Sequence, residues 1–136
     1  MARRILSPVV AAIALAACAA PSAAQRGDTI TGEWGGAHVG LSLDAASGRL
    51  EYDCGSGTID EALTTDQLGR FTATGTHTPG QGGPDRAGET PRSYPALYRG
   101  QARGDVLTLR VEVEGHVSPG PFRLTQGAAP QLLRCL

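Results

Sequence analysis

Residues 105–114 read Asp-Val-Leu-Thr-Leu-Arg-Val-Glu-Val-Glu, and their alternation decides the fold class. Leu107, Leu109, Val111 and Val113 fall on one face, while Val106, Thr108, Arg110, Glu112 and Glu114 fall on the other. Successive side chains of an extended strand point to opposite faces, so this is the pattern of a half-buried antiparallel strand. Ahead of it, Ala96 to Ala102 leads into Arg103-Gly104, whose glycine supplies the positive φ of a tight hairpin turn. Further upstream Val39, Leu41 and Leu43 share a face, Asp44 to Gly48 turn the chain, and Leu50, Tyr52 and Cys54 share a face again. The same reading places strands at Thr58 to Leu63, Arg70 to Thr76, Phe122 to Thr125 and Leu132 to Cys135. No stretch shows a sustained helical period with caps. The chain is therefore expected to be all-β, a small antiparallel up-and-down β-barrel of about eight strands; a β-sandwich has the same periodicity.

The N-terminus has a different character. Arg3 and Arg4 precede an apolar run from Ile5 to Ala17, the layout of a secretory signal. That run has thirteen residues, and a bilayer-spanning helix needs about 20, so a permanent span is not expected. Leu15-Ala16-Ala17-Cys18 resembles the lipobox of bacterial lipoproteins, which implies cleavage after residue 17 and lipidation of Cys18. Several acyl chains, each buried methylene contributing about 0.8 kcal/mol, anchor a protein stably. The rival cut after Ser22-Ala23-Ala24 releases a soluble periplasmic or secreted protein starting at Gln25. The division expected is a signal peptide at 1–17, a flexible tether at 18–29 and a single β domain at 30–136, at the cell envelope.

Charge excludes some partners. All twelve basic residues are arginine and two of them, Arg3 and Arg4, lie in the signal, leaving ten against thirteen acids. They are scattered singly along the sequence, and phosphate-backbone binding needs clustered cations, so no nucleic-acid partner is expected. The membrane is reached through the anchor alone.

With Cys18 lipidated, Cys54 and Cys135 are the two thiols left, and in an oxidising compartment they are expected to pair. A bridge enclosing roughly 80 residues stabilises a chain by about 4 to 5 kcal/mol in the chain-entropy model. In a barrel it would join an early strand to the last. Between strands, the stretch from Thr76 to Ser93 holds four glycines and three prolines, so His77 to Ser93 is expected to be a long loop.

Two resemblances bear on function. Gly32-Glu33-Trp34, at the start of the first strand that runs on through Val39 to Leu43, fits the G-x-W pattern of lipocalin and avidin-like barrels, and Ile30 to Trp34 with the strand after it, Gly48 and a second strand is similar to the first avidin-family hairpin. The likeness implies that the tryptophan plugs one end of a barrel. It does not extend to biotin, whose pocket in that family uses several tryptophans where this chain has one. Trp34-Gly35-Gly36-Ala37-His38, with Asp53-Cys54, Gly82-Gly83-Pro84, Gly120-Pro121-Phe122 and the ending Leu133-Arg134-Cys135-Leu136, also resembles a group of uncharacterised exported bacterial proteins. The adjacent glycines suggest a bulge or a close backbone approach. Trp34 and His38 are thus the candidate ligand-binding residues, with His38 either at a ligand-facing rim or simply solvent-facing.

Catalytic constellations are missing. His38, His77 and His116 lack the close pairing of zinc ligands, so no metal or other cofactor is expected. Cys54-Gly55-Ser56-Gly57 lacks the leading glycine of a nucleophile elbow, the carboxylate pairs Asp60-Glu61 and Glu112-Glu114 are what solubility requires, and the glycines near Gly80 open no helix. The chain is not expected to be an enzyme. The expectation is an exported, lipid-anchored barrel that binds a small ligand at its open end. The alternatives are a protein-interaction module, such as an inhibitor of an envelope hydrolase, and a structural envelope protein.

Overall fold

The computed structural model describes residues 27–80, 88 and 90–135. The expected signal, Cys18, most of the expected tether and Gly82-Gly83-Pro84 lie outside these residues. The described chain is an eight-stranded closed barrel: β1 (Gly32–Gly36), β2 (Val39–Leu43), β3 (Gly48–Tyr52), β4 (Gly55–Ile59), β5 (Arg70–Pro79), β6 (Tyr94–Arg103), β7 (Val106–Val113) and β8 (Phe122–Gln126). Every strand pairs antiparallel with its sequence neighbour, and β1 closes the ring on β8 through Trp34 opposite Gln126 and Gly35 opposite Thr125.

The strands form where alternation is strictest. In β7, Leu107, Leu109, Val111 and Val113 are buried and the residues between them are outside. Trp34, Leu41, Leu43, Leu50, Tyr52, Ile59, Phe71, Tyr98 and Leu124 converge with them on one apolar core. An eight-stranded barrel is just wide enough for its interior to be filled by side chains. Each fully buried aliphatic or aromatic side chain here contributes about 1.5–3 kcal/mol.

Several boundaries differ from the sequence reading. The first expected strand is two: β1 and β2 are joined by Ala37-His38, and Gly35 pairs with Gly40 and Gly36 with Val39 in unbroken register, so there is no bulge. β4 begins at Gly55 and ends at Ile59, because Tyr52 already pairs with Gly55 across a two-residue turn. The β6–β7 turn is Gly104-Asp105, with Arg103 paired to Val106 and Gly104 at φ +59°. β5 runs on to Pro79, so His77 is a strand residue with a buried ring rather than the start of a loop. Leu132 to Cys135 forms no strand; the last pairing is a parallel bridge of Gln131 with Ala37. The bridge between Thr29 and Thr64 brings the paired chain in just before Ile30.

Candidate functional site at the disulfide-tied end

Each strand carries the chain from one barrel end to the other, so the connections sort into two sets. One end holds the turns at Asp44 to Ser47 and Gly104-Asp105 and the segment from Asp60 to Gly69. The other holds the turns Ala37-His38 and Asp53-Cys54 and the longer connections after β5 and β7.

Trp34 belongs to the first end. It is buried, its Nε1 donates to the carbonyl of Thr31, and Ile30 and Leu63 join the same core. With Thr65, Leu68 and Gly104 it borders a cavity of about 570 Å³. His38 lies at the opposite end, so the two candidate ligand-binding residues do not meet.

At His38's end the chain ties a knot of short-range bonds. His38 and Cys54 each occupy the second place of a two-residue turn and each has positive φ, +69° and +59°. A left-handed conformation is uncommon for residues other than glycine and needs surrounding contacts to hold it. Here the contacts are specific. The His38 Nδ1 pairs with Asp53 Oδ2, and the Asp53 backbone N–H donates to the His38 carbonyl at 3.3 Å. The other Asp53 oxygen, Oδ1, accepts the Leu133 N–H at 2.6 Å, and Cys54 is bonded to Cys135 with Cα atoms 5.1 Å apart.

The tail reaches this point along the outside of the wall. Leaving β8, Gly127 donates to the Glu33 carbonyl, Gln131 donates to Gly36, and Gln131 accepts from His38. The two glycines facing outward beneath it make the approach possible. A Cβ on Gly35 would stand 2.2 Å from the Ala128 carbonyl oxygen, and one on Gly40 would stand 2.9 Å from the Pro130 ring. The tryptophan-glycine-glycine-x-histidine run is therefore a seat for the tail. Since β1 and β8 close the barrel by themselves, the disulfide does not perform that closure; it fastens the tail across the β1–β2 and β3–β4 turns.

Inside the same end is a polar cluster that the sequence did not announce. Tyr52 Oη lies 2.7 Å from His77 Nδ1 and donates to the Ser56 carbonyl at 3.0 Å, and Tyr98 Oη donates to the Thr76 carbonyl at 2.5 Å. Burial pushes the Tyr52 phenol up to about 12, and burial together with Tyr52 raises Tyr98 as well. Burial, with His116 adding like charge, holds His77 below the usual histidine range. Tyr52 stacks on Phe122, and His116 lies over Tyr94 with ring centroids 3.8 Å apart. The only advance sign was that Tyr52 and Tyr98 sit at inward positions of their strands, where a hydroxyl must find a partner.

Between the tail and the rims of β3 to β5 runs a groove of about 850 Å³, bordered by Glu51, Pro79, Pro91, Leu132, Leu133 and Arg134. Leu132, Leu133 and, in the connection after β7, Val117 are exposed, so three of the four large exposed hydrophobic side chains among the described residues are at this end. No group of metal-ligating side chains occurs among the described residues. No protein-family model, curated protein or solved structure matches the chain, so its reading rests on this geometry.

Proposed function

We propose that the chain is an exported binding module, held at the cell envelope by a lipid on Cys18, that grips a protein partner with its disulfide-tied end. The observation that carries this reading is the contrast between the barrel's interior and its rim. The interior is occupied by Trp34, Leu50, Tyr98 and the β7 aliphatics, where a ligand-carrying barrel keeps a cavity. The rim instead presents Leu132 and Leu133 in a groove with Arg134 and Glu51 at its border, and Val117 exposed on the β7–β8 connection of the same end. Exposed aliphatics next to a few charges are the makings of an apolar interface core with a polar rim. The partner is an envelope protein that offers an apolar segment to this groove, and the bonded tail holds the leucines in place ahead of binding, which lowers the ordering cost. No nucleophile with a base at hand enters this reading, so it assigns no catalysis.

Photo-crosslinking in cells tests it. A crosslinking residue at Leu133 or Val117 is expected to give a discrete protein adduct, and the same residue at Leu68, on the opposite end, to give none. Adducts at Leu68 alone, or a small organic molecule retained in the native mass of the purified protein, would overturn it. Intact mass of the membrane fraction checks the anchor: a chain starting at triacylated Cys18 agrees, and a soluble chain starting at Gln25 does not.

A further inference from the structure

Antiparallel register assembles something that the order of residues conceals. Arg99 on β6 stands directly opposite Arg110 on β7, and Arg123 on β8 stands opposite Thr108, two residues along from Arg110. All three arginines are exposed on the outer wall. With Gln101 and Thr108 they border a single cavity of about 500 Å³, floored by Gly100, Leu109 and Phe122. Three arginines lying eleven or more positions apart in the chain thus form one cationic patch on an otherwise acidic domain.

The patch is under-neutralised. Arg99 has a carboxylate, Glu112 Oε2, at 3.6 Å, while Arg110 and Arg123 form no ion pair among the described residues. Side chains directly opposite on an antiparallel pair have Cβ atoms roughly 5 Å apart, and like charges so placed destabilise a sheet. Folding alone gives no reason to bring these cations together. We propose that this wall binds a phosphate-bearing ligand, with Arg99, Arg110 and Arg123 supplying charge-assisted hydrogen bonds and Gln101 and Thr108 further polar contacts. A guanidinium presents its donors as a rigid fork matched to oxyanions. Three forks from three strands suit a tetrahedral phosphate better than a planar carboxylate, which one fork saturates. The site is on the side of the barrel, separate from the disulfide-tied end, and does not depend on the partner proposed there.

Calorimetric titration with inorganic pyrophosphate tests it, using the mature chain from residue 18 with Cys18→Ser and the disulfide intact. Saturable binding is expected, weakening as sodium chloride rises from about 20 to about 200 mM because the screening length shortens to a fraction. Arg110→Gln with Arg123→Gln is expected to weaken binding about tenfold or more. Glu112→Gln, which releases Arg99, is expected to tighten it severalfold, a gain that a purely structural carboxylate would not produce. If the double variant melts early, Arg123→Gln alone and Glu112→Gln still decide. Dihexanoyl phosphatidylglycerol below its micelle concentration identifies the source: competition with pyrophosphate assigns a lipid headgroup, and indifference to it assigns a soluble phosphorylated ligand. No binding of pyrophosphate at millimolar concentration, equal affinity in the double variant, or malonate bound as tightly would each overturn the proposal.

Discussion

Asp53 accepts the backbone N–H of Leu133 at 2.6 Å, joining the β3–β4 turn to the tail across eighty positions of chain. The same carboxylate pairs with His38, so one side chain couples two turns and the tail. Asp53→Ala leaves the Leu133 donor and the His38 ring without this partner and is expected to cost about 1–2 kcal/mol. Asp53→Asn, which keeps an acceptor oxygen, should retain part of that. Amide hydrogen exchange reads it out: Leu133 should lose protection in the alanine variant while β7 amides keep theirs. Unchanged protection at Leu133 would refute the coupling.

The Cys54–Cys135 bridge should matter to stability and little to topology. Replacing both cysteines by serine is expected to cost about 2–5 kcal/mol in urea denaturation, because the closed loop spans 81 positions. The far-ultraviolet circular dichroism should nonetheless stay that of the barrel, since Trp34 and Gly35 already pair with Gln126 and Thr125. Loss of the β signal under native conditions would show that the tail, not the β1–β8 seam, closes the ring.

Gly57 faces the two buried tyrosines so closely that a Cβ there would lie 2.2 Å from Tyr98 Oη and 2.9 Å from Tyr52 Oη. Gly57→Ala is expected to destabilise by about 1–3 kcal/mol through overpacking. Tyr98→Phe removes the nearer oxygen along with its bond to Thr76, so the double variant should lose less than the sum of the single ones. Simple additivity in thermal melts would count against direct contact.

Acid should weaken the fold through His77. Its folded-state value is lowered by burial, so the unfolded chain takes up the proton first, and the stability His77 contributes is present above about pH 6.5 and lost as pH falls below it. His77→Gln should flatten the melting temperature between pH 7.5 and pH 5 while lowering it at pH 7.5. Tyr52 acts at the other extreme: raised to about 12, it contributes stability that is lost as pH climbs from about 10 toward 12. A pH slope below 7 that survives in the His77 variant would mean that another group governs acid sensitivity.

Much of the architecture was legible because period-two alternation is a local property. The β7 face of Leu107, Leu109, Val111 and Val113 is buried as its spacing dictates. The barrel has the expected eight strands, though two of its boundaries fall elsewhere than alternation places them. A turn at Ala37-His38 splits one expected strand, and Leu132 to Cys135 forms none. Neither was visible locally. The turn needs a histidine in the left-handed region, which its bond partners Asp53 and Gln131 hold there, and the tail runs against the outer wall, where its pairing is limited to the single bridge of Gln131 with Ala37.

The amino-acid sequence by itself determined an all-β chain, the inward residues of most strands and the availability of two cysteines to pair, because alternation and thiol chemistry act through neighbours or by simple count. Only the tertiary structure decided that Trp34 and His38 serve opposite ends, that Gly35 and Gly40 seat the tail, that Tyr52 meets His77, and that Arg99, Arg110 and Arg123 share one wall. The first depends on where the chain turns and the others on the register between strands, where a shift of one residue moves a strand's inward positions to the other face of the sheet.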